Sequence, residues 1–404
     1  MMLLMAVIFG VLLKIVSLYF FSVSTFLWKK PAQIPRKAPR TRFAVVTAAR
    51  NEEAVIGGFV ESIKKQDYPD ELFDVYVVPN QCSDGTEERA REAGARIISC
   101  SGAVSCKGDV LHEAFRQLLE QNYDAVCVFD ADNAADSHFL SRMNDAFLAG
   151  ARVAKGRQEA KNPEDSWVAA CYGLYFDFFR YFFNRPRAAC GLSAKLVGTG
   201  FAVHREVIER MGGWNTETIA EDAEFSAQCA ALGERIWWVE EAVTYDEQPT
   251  SFRVSLIQRK RWCSGVMQVA KKQMRMLIRS WRENNRALVL DFIMFLTAPF
   301  AQAFSLVPLA LTILAAVGGD GTAVDALTLL PLYLALSYGA VTALAWGMQK
   351  AKGVPVSPGM WKGIFTFGIF MAAWIPLQMY SLCRETKKWE EIRHVGGSLP
   401  HRAV

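Results

Sequence analysis

The chain has no Walker A loop and no GxGxxG turn, so nothing in it marks a P-loop ATPase or a dinucleotide enzyme. Histidine is scarce, at five residues, and no Cys/His spacing suits zinc. The nine cysteines form no CxxC pair, so they read as buried apolar residues rather than as a disulfide framework. A net charge of +4 over 404 residues leaves no electrostatic footprint for nucleic acid. No tandem repeat is visible, which sets repeat architectures aside.

What is present is an uneven spread of apolar residues. Residues 2–28 carry one charge, Lys14, and 288–383 hold three more apolar runs, whereas 40–265 has the composition of a soluble domain. The first run exceeds the ~7–15-residue core of a signal peptide, and its charges follow it rather than precede it. At ~1.5 Å per residue it crosses a hydrocarbon core of about 30 Å. Lys29, Lys30, Arg36, Lys37, Arg40 and Arg42 come next, which places the following domain in the cytoplasm, with the plasma membrane as the expected location. Lys14 reads equally as a functional mid-span charge or as a snorkelling side chain. KKPAQIPRKAPR (29–40) reads as a basic linker and 41–265 as the catalytic unit; 266–287 reads as an interfacial amphipathic segment and 384–404 as a basic tail. The C-terminal spans are expected near 288–317, 325–347 and 361–383, with Pro299 and Pro376 kinking the first and last. One crossing before the domain and three after it would put RETKKWEEIRHV outside, yet its Lys/Arg content argues for inside. A re-entrant or interfacial stretch among the three would remove the conflict.

Within 40–265, short β-branched runs alternate with helical periodicity. Strands are expected at 43–48, 73–79, 95–99 and 124–130, and helices at 52–66, 83–94 and 107–121. That alternation predicts an α/β fold with a mainly parallel central sheet, which binds ligands beyond the carboxyl ends of its strands. There the chain places ARNEE (49–53), NQCSDGT (80–86) and DADNAAD (130–136). Carboxylates at i and i+2 leaving a buried strand suit Mg2+ or Mn2+ shared with substrate phosphates, although a lone DxD is also a common solvated turn. Lys107-Gly108 opens a helix, where an anion would meet both a cation and free N–H groups. Glu221-Asp222 reads as a helix N-terminal pair or as the site of a general base for a sugar hydroxyl. SLIQRKRWCSG (255–265) has the look of an interfacial anchor as much as of an active-site segment.

Taken in order, NEE, a turn with Asp, KG, DAD, GTG, ED and QRKRW resemble the membrane-bound family 2 glycosyltransferases. That group contains cellulose, hyaluronan and poly-N-acetylglucosamine synthases and ceramide glucosyltransferases. The resemblance covers about 43–265 and implies a nucleotide-sugar-binding domain of GT-A type flanked by transmembrane helices. It implies that Arg50, Glu52 and Asn80 lie against the nucleobase, Lys107 near the nucleotide, Asp130 at the ribose or base side of the donor, and Asp132, with Asp130, at a divalent metal bridging the diphosphate. Gln258, Arg259 and Arg261 would hold the diphosphate; Thr199, Glu221 and Trp262 would face the acceptor; Asp222 would be the base. Direct displacement at the anomeric carbon would invert it, giving a β-linked product from an α-linked donor. Two departures stand out, Asn80 where relatives have Asp and Ala48 where they have Pro. Asn still bonds a uracil edge, so a UDP-sugar is the expected donor. Asp84 reads as a loop or helix-cap residue.

YFDFFRYFFNRPR (175–187) fits either an acceptor path or an amphipathic helix in the headgroup layer, and composition favours the latter. The leading expectation is an enzyme extending a β-linked glycan; the others are single-sugar transfer to a membrane lipid, and a non-catalytic nucleotide-sugar-binding transporter or scaffold. A secretion channel would need more helices than this chain has, from a partner subunit or a homo-oligomer.

Overall fold

The computed structural model describes residues 1–29, 32–100, 104, 106–284, 286–353 and 355–386. Most of the tail expected over 384–404, and Lys30 and Pro31 of the linker, therefore lie outside the described residues.

Strands β1 (Phe43–Ala49), β2 (Phe73–Pro79), β3 (Arg96–Ile97) and β4 (Ala125–Asp130) pair in parallel in the order β3-β2-β1-β4. Each forms where the β-branched and aromatic runs of the sequence lie, within one or two residues of expectation. The remaining strands are β5 (Ala134–Ala135), β6 (Val153–Ala160), β7 (Phe201–His204) and β8 (Ile236–Asp246). They extend the sheet as β7-β6-β8-β5, with β7 antiparallel to both neighbours and β6 parallel to β8. The result is a mixed, mostly parallel sheet of GT-A type.

Helix α1 (Met2–Ser24) precedes the sheet; α2 (Ile56–Lys64), α3 (Thr86–Glu92), α4 (Lys107–Leu119) and α5 (Phe139–Leu148) follow its strands. Next come α6 (Trp167–Phe178), a π-helical turn (Phe179–Asn184), α7 (Arg185–Cys190), α8 (Arg205–Met211) and α9 (Glu221–Leu232). The two faces of the sheet read alternately along each strand. Phe43, Val45, Val75, Val77, Cys127 and Phe129 bury against α2 and α5, while Val46, Val78, Val126 and Val128 bury against α4 and α9. Trp214 clamps the second layer, stacked between Phe115 of α4 (5.1 Å) and Phe225 of α9 (4.3 Å). That stack fixes the N-termini of α4 and α9 beside the carboxyl end of β4.

The remaining described elements are helices: α10 (Phe252–Asn284), α11 (Ala287–Ala303), α12 (Leu306–Val317), α13 (Gly321–Thr328), α14 (Leu330–Ala351), α15 (Pro358–Ala372) and α16 (Trp374–Cys383). Among the described residues four stretches are long and apolar enough to cross a membrane: 2–28, 287–317, 321–351 and 358–383. The expected interfacial segment 266–287 is no separate element, because α10 runs through that boundary as one helix. Of the two expected kinks, the one at Pro376 has a helix break beside it and the one at Pro299 does not. Pro299 sits inside an uninterrupted α11, and the helix breaks instead at Phe304–Ser305, where Pro308 has no N–H to offer the carbonyl of Phe304. Pro331 accompanies the break at Leu329, and Pro376 that at Ala373.

The last apolar stretch begins and ends against the sheet domain. At its start Glu164 accepts from Gly359 N–H (3.2 Å), and Gly363 packs so close to Ala170 of α6 that an added Cβ would lie 2.6 Å from the alanine's. At its end Thr386 N–H donates to Ser264 Oγ (2.8 Å), and Gln268 Nε2 donates to the Thr386 carbonyl (2.9 Å).

Candidate active site

The loops after β1 and β2 are stitched together by their own side chains. Asn51, at φ 56°, accepts from Ser83 N–H (2.8 Å), Glu53 from Gly85 N–H (3.0 Å), and Thr86 Oγ1 from Glu52 N–H (2.8 Å). A non-glycine residue at positive φ is a local cost that surrounding bonds must hold. Gln81 in the facing loop, at φ 52°, shares it. Asp84 accepts from Thr86 N–H (3.2 Å) and so acts as the loop cap expected. Arg50, Glu52 and Asn80 come together on one rim of a cavity of about 860 Å³.

At the end of β4, Lys107 donates to Asp130 and to the Gly198 carbonyl (2.6 Å), with Glu221 at 3.5 Å. Burial works against the ammonium charge, but Asp130 and Glu221 outweigh it and hold the lysine above its ordinary range. Glu221 is nearly buried, and burial, aided by Asp222 and Asp130 against Lys107, pushes its pKa up to about 7. Asp222 is oriented by two backbone donors, Gly198 N–H to Oδ2 and Ala223 N–H to Oδ1, both at 2.7 Å. Gly198 is at φ 48°, and a Cβ there would come 3.4 Å from Asp130 Oδ2, so glycine is what lets this loop pass between the two carboxylates. Arg261, Gln258 and Trp262 line the same cavity from α10, with the Gln258 Oε1 accepting from Tyr172 OH (2.7 Å). Burial lowers the Arg261 pKa against the opposing pull of Asp130, Glu221 and Asp222, so this guanidinium faces the acidic cluster.

Two expected site residues are placed elsewhere. Arg259 is fully buried, donates through Nη1 to the Phe370 carbonyl (2.7 Å) and stacks over the Phe370 ring at 4.0 Å. One position along a helix turns a side chain by about 100°, so Arg259 packs α10 onto α15 while Gln258 and Arg261 face the cavity. Thr199 is also buried; its hydroxyl donates to Asn133 and accepts from Asp130 N–H (3.1 Å), which braces the DAD loop from behind. The aromatic stretch 175–187 is the third correction. Tyr175, Phe179, Phe182 and Phe183 line the cavity rather than lying on a membrane-surface face.

Sequence reading missed four contributors. Asp246, at the end of β8, is buried with Oδ1 unbonded, and burial together with the Asp132 charge holds its pKa well above the usual carboxylate range. Lys155 of β6 is buried beside it, pushed down to about 8 by burial. Lys195 and Trp374 line the far half of the cavity. No spacing in the sequence connects these positions to the DAD or QRKRW motifs; only the sheet order and the fold of α16 bring them together. Among the described residues no three His, Cys, Asp or Glu side chains are grouped closely enough to hold a metal ion by themselves, so Asp130 and Asp132 offer a partial hard-oxygen set that suits Mg2+ or Mn2+ only with further oxygens from a bound phosphate. The cavity continues from these carboxylates past Trp262 and Trp374, whose rings stack at 6.2 Å, into a mouth between α1, α11 and α16.

Residues 39–265 match the family described as "Glycosyltransferase like family 2". The chain is similar to the "Probable glycosyltransferase YdaM" of Bacillus subtilis (strain 168), 27% identical over 278 residues, or 66% of this chain and 64% of that protein. It is also similar to the "Beta-monoglucosyldiacylglycerol synthase" of Synechocystis sp., 26% identical over 234 residues, or 56% of this chain and 48% of that protein. The matches thus span about half to two thirds of the length of these curated relatives. In fold, the chain resembles a mannosyltransferase from Pyrobaculum calidifontis solved with GDP-Man and Mn2+. The TM-score is 0.63 at 19% identity, over 93% of this chain and 99% of that one.

Proposed function

For a chain that belongs to the family 2 glycosyltransferases, we propose transfer of one sugar from a nucleoside-diphosphate donor to a lipid drawn from the membrane, with inversion at the anomeric carbon. The observation that carries this reading is the single cavity running from the carboxylate cluster to Leu13, Phe20, Pro299 and Gln378 of the apolar helices. A lipid whose chains occupy that mouth presents its head group at Asp222.

Arg50, Glu52 and Asn80 take the nucleobase, and the Asn80 amide suits uracil. Asp130 and Asp132 would hold a divalent metal together with the donor phosphates, and the metal would neutralise charge on the diphosphate; the Mn2+ named with the Pyrobaculum structure supports this. Arg261 faces the same charge and gains strength from the water-poor cavity. Asp222 takes the proton of the acceptor hydroxyl as its oxygen bonds to the anomeric carbon. The carbon–oxygen bond to the diphosphate breaks, and its electron pair leaves with the nucleotide. The diacylglycerol in the name of the Synechocystis relative supports a lipid acceptor. The stacked Trp262–Trp374 pair favours a second reading, repeated addition to a β-linked glycan, since it offers a platform for a sugar ring.

The same reading gives a topology. Because 358–386 starts at Glu164 and returns to Ser264, both on the sheet domain, it is taken as interfacial. Three crossings remain, the domain faces the cytoplasm, and the basic tail stays with it, which removes the charge conflict.

The test is nucleoside-diphosphate release by the purified protein from UDP- and GDP-sugars, with Mg2+ or Mn2+, in mixed micelles with membrane lipids or with oligosaccharide primers, products being sized by mass. A glycolipid of one added sugar supports the reading, and long glycans shift it to the second. Donor binding without release would leave a binding protein.

A further inference from the structure

We infer that the acceptor lipid carries a phosphate group and that Lys195 receives it, one step nearer the membrane than the hydroxyl that attacks. The inference rests on the lipid-acceptor reading above.

Lys195 sits three residues before Gly198, whose N–H holds Asp222, and its own N–H is anchored by Asn184 Oδ1 at 3.0 Å. Its ammonium lies 4.3 Å from the Phe179 ring and 5.1 Å from the Phe295 ring, on the cavity wall. Among the described residues it makes no ion pair and no side-chain hydrogen bond; ring faces are its neighbours. Other cations near the cavity are committed: Lys107 to Asp130 and Gly198, Lys155 to the Gly156 carbonyl (2.9 Å), and Arg187, behind the wall, to Asp291. Ring quadrupoles compensate an ammonium only in part for lost water. Burial accordingly pushes its pKa down to about 8, against the pull of Asp222. A phosphate oxygen is the strongest complement to such a group, since a charge-assisted bond exceeds a neutral one.

The donor diphosphate is not that phosphate. Lys195 stands against the rings of Phe179 and Phe295, the latter on α11 among the apolar helices, whereas Lys107, Asp130 and Glu221 stand together at the end of β4. Nor is the phosphate the nucleophile, because an ionised phosphate oxygen needs no base and this chain holds Asp222 in place for one. The acceptor therefore has both a hydroxyl and, toward its chains, a phosphate. Two sources share that chemistry, a phosphoglycerolipid and a sugar linked to a polyprenyl diphosphate. Plain diacylglycerol has the hydroxyl alone.

The experiment measures transfer by the full-length protein in mixed micelles, with dioleoylglycerol, phosphatidylglycerol or a polyprenyl-diphosphate-linked sugar as acceptor. Wild type, Lys195→Met and Lys195→Arg are compared. One phosphate-bearing acceptor should be preferred over dioleoylglycerol, and which one it is names the source. Lys195→Met should raise the KM for that acceptor at least about tenfold, the loss of one charge-assisted contact. The donor KM should stay within about twofold, and Lys195→Arg should restore most of the acceptor KM. Dioleoylglycerol used as well as either phosphate lipid, or a Lys195→Met loss shared equally by all acceptors, overturns the inference and leaves the lipid transferase standing. Turnover with soluble glycan primers and with none of the lipids overturns both.

Discussion

At the scale of single residues the site divides by whether a side chain is aimed or merely nearby. Asp222 is aimed, by two N–H groups at 2.7 Å, and Asp222→Asn keeps the shape while removing the proposed base. Its kcat should fall by ~10²–10⁴ with donor affinity nearly unchanged; steady-state kinetics beside calorimetric donor binding measures both, and a kcat within about threefold of wild type would remove Asp222 from the chemistry. Glu221 gives a pH signature. Its carboxyl binds its proton up to about pH 7 in the native protein and releases it near the ordinary range when unfolded. Between those values the native state holds more protons, so this residue's stabilising share is full at low pH and is lost as pH rises through 7. Melting in detergent from pH 5 to 8 should show wild type losing ground to Glu221→Gln; a constant gap would contradict the assignment. DAD, ED and QRKRW were legible because each carries its chemistry within a few residues. Arg259 and Thr199 misled because the motif names a stretch of chain, and only the turn of the helix or loop decides which side chain faces the cavity.

At the scale of elements, the apolar helices are held to the domain by buried charge as well as by packing. Arg187 of α7 grips Asp291 of α11 through Nε (3.0 Å) and Nη2 (2.9 Å), and Tyr19 of α1 donates to the same carboxylate at 2.7 Å. Removing one member of a buried pair strands the other, so Arg187→Met should cost ~3–5 kcal/mol, and Arg187→Met with Asp291→Leu should recover most of it. Thermal unfolding of both in one detergent decides; an equal loss in the double variant would show that the pair is worth more than its packing equivalent. None of this was visible in the sequence, since Tyr19, Arg187 and Asp291 lie 272 positions apart at the extremes. Strands and helices of the sheet domain were legible because periodicity is local. The helix breaks were half legible: proline chemistry predicts them, but Pro308 and Pro331 rather than Pro299 set two of the three.

At the scale of the molecule, the assignment of 358–386 to the interface can be checked directly. In a cysteine-free background, Gly319→Cys between α12 and α13 should react with an impermeant maleimide from outside the cell, and native Cys383 restored alone only after the inner face is opened. Labelling of both from outside would restore four crossings. The sequence set out the parity conflict, yet its solution depended on contacts 122 and 195 residues apart, beyond the reach of hydropathy. The late position of Trp374 and Gln378 has a further consequence, for synthesis rather than catalysis. A chain leaving the ribosome has the carboxylates that line the cavity by residue 246 and its Gln-Arg-Trp wall by 262, long before those two residues exist. Until they arrive, the cavity lacks part of its lining. On the function proposed above, a chain truncated before Trp374 would keep the residues proposed for the donor and lack two that line the apolar half of the cavity, and it should bind a nucleotide sugar without transferring it.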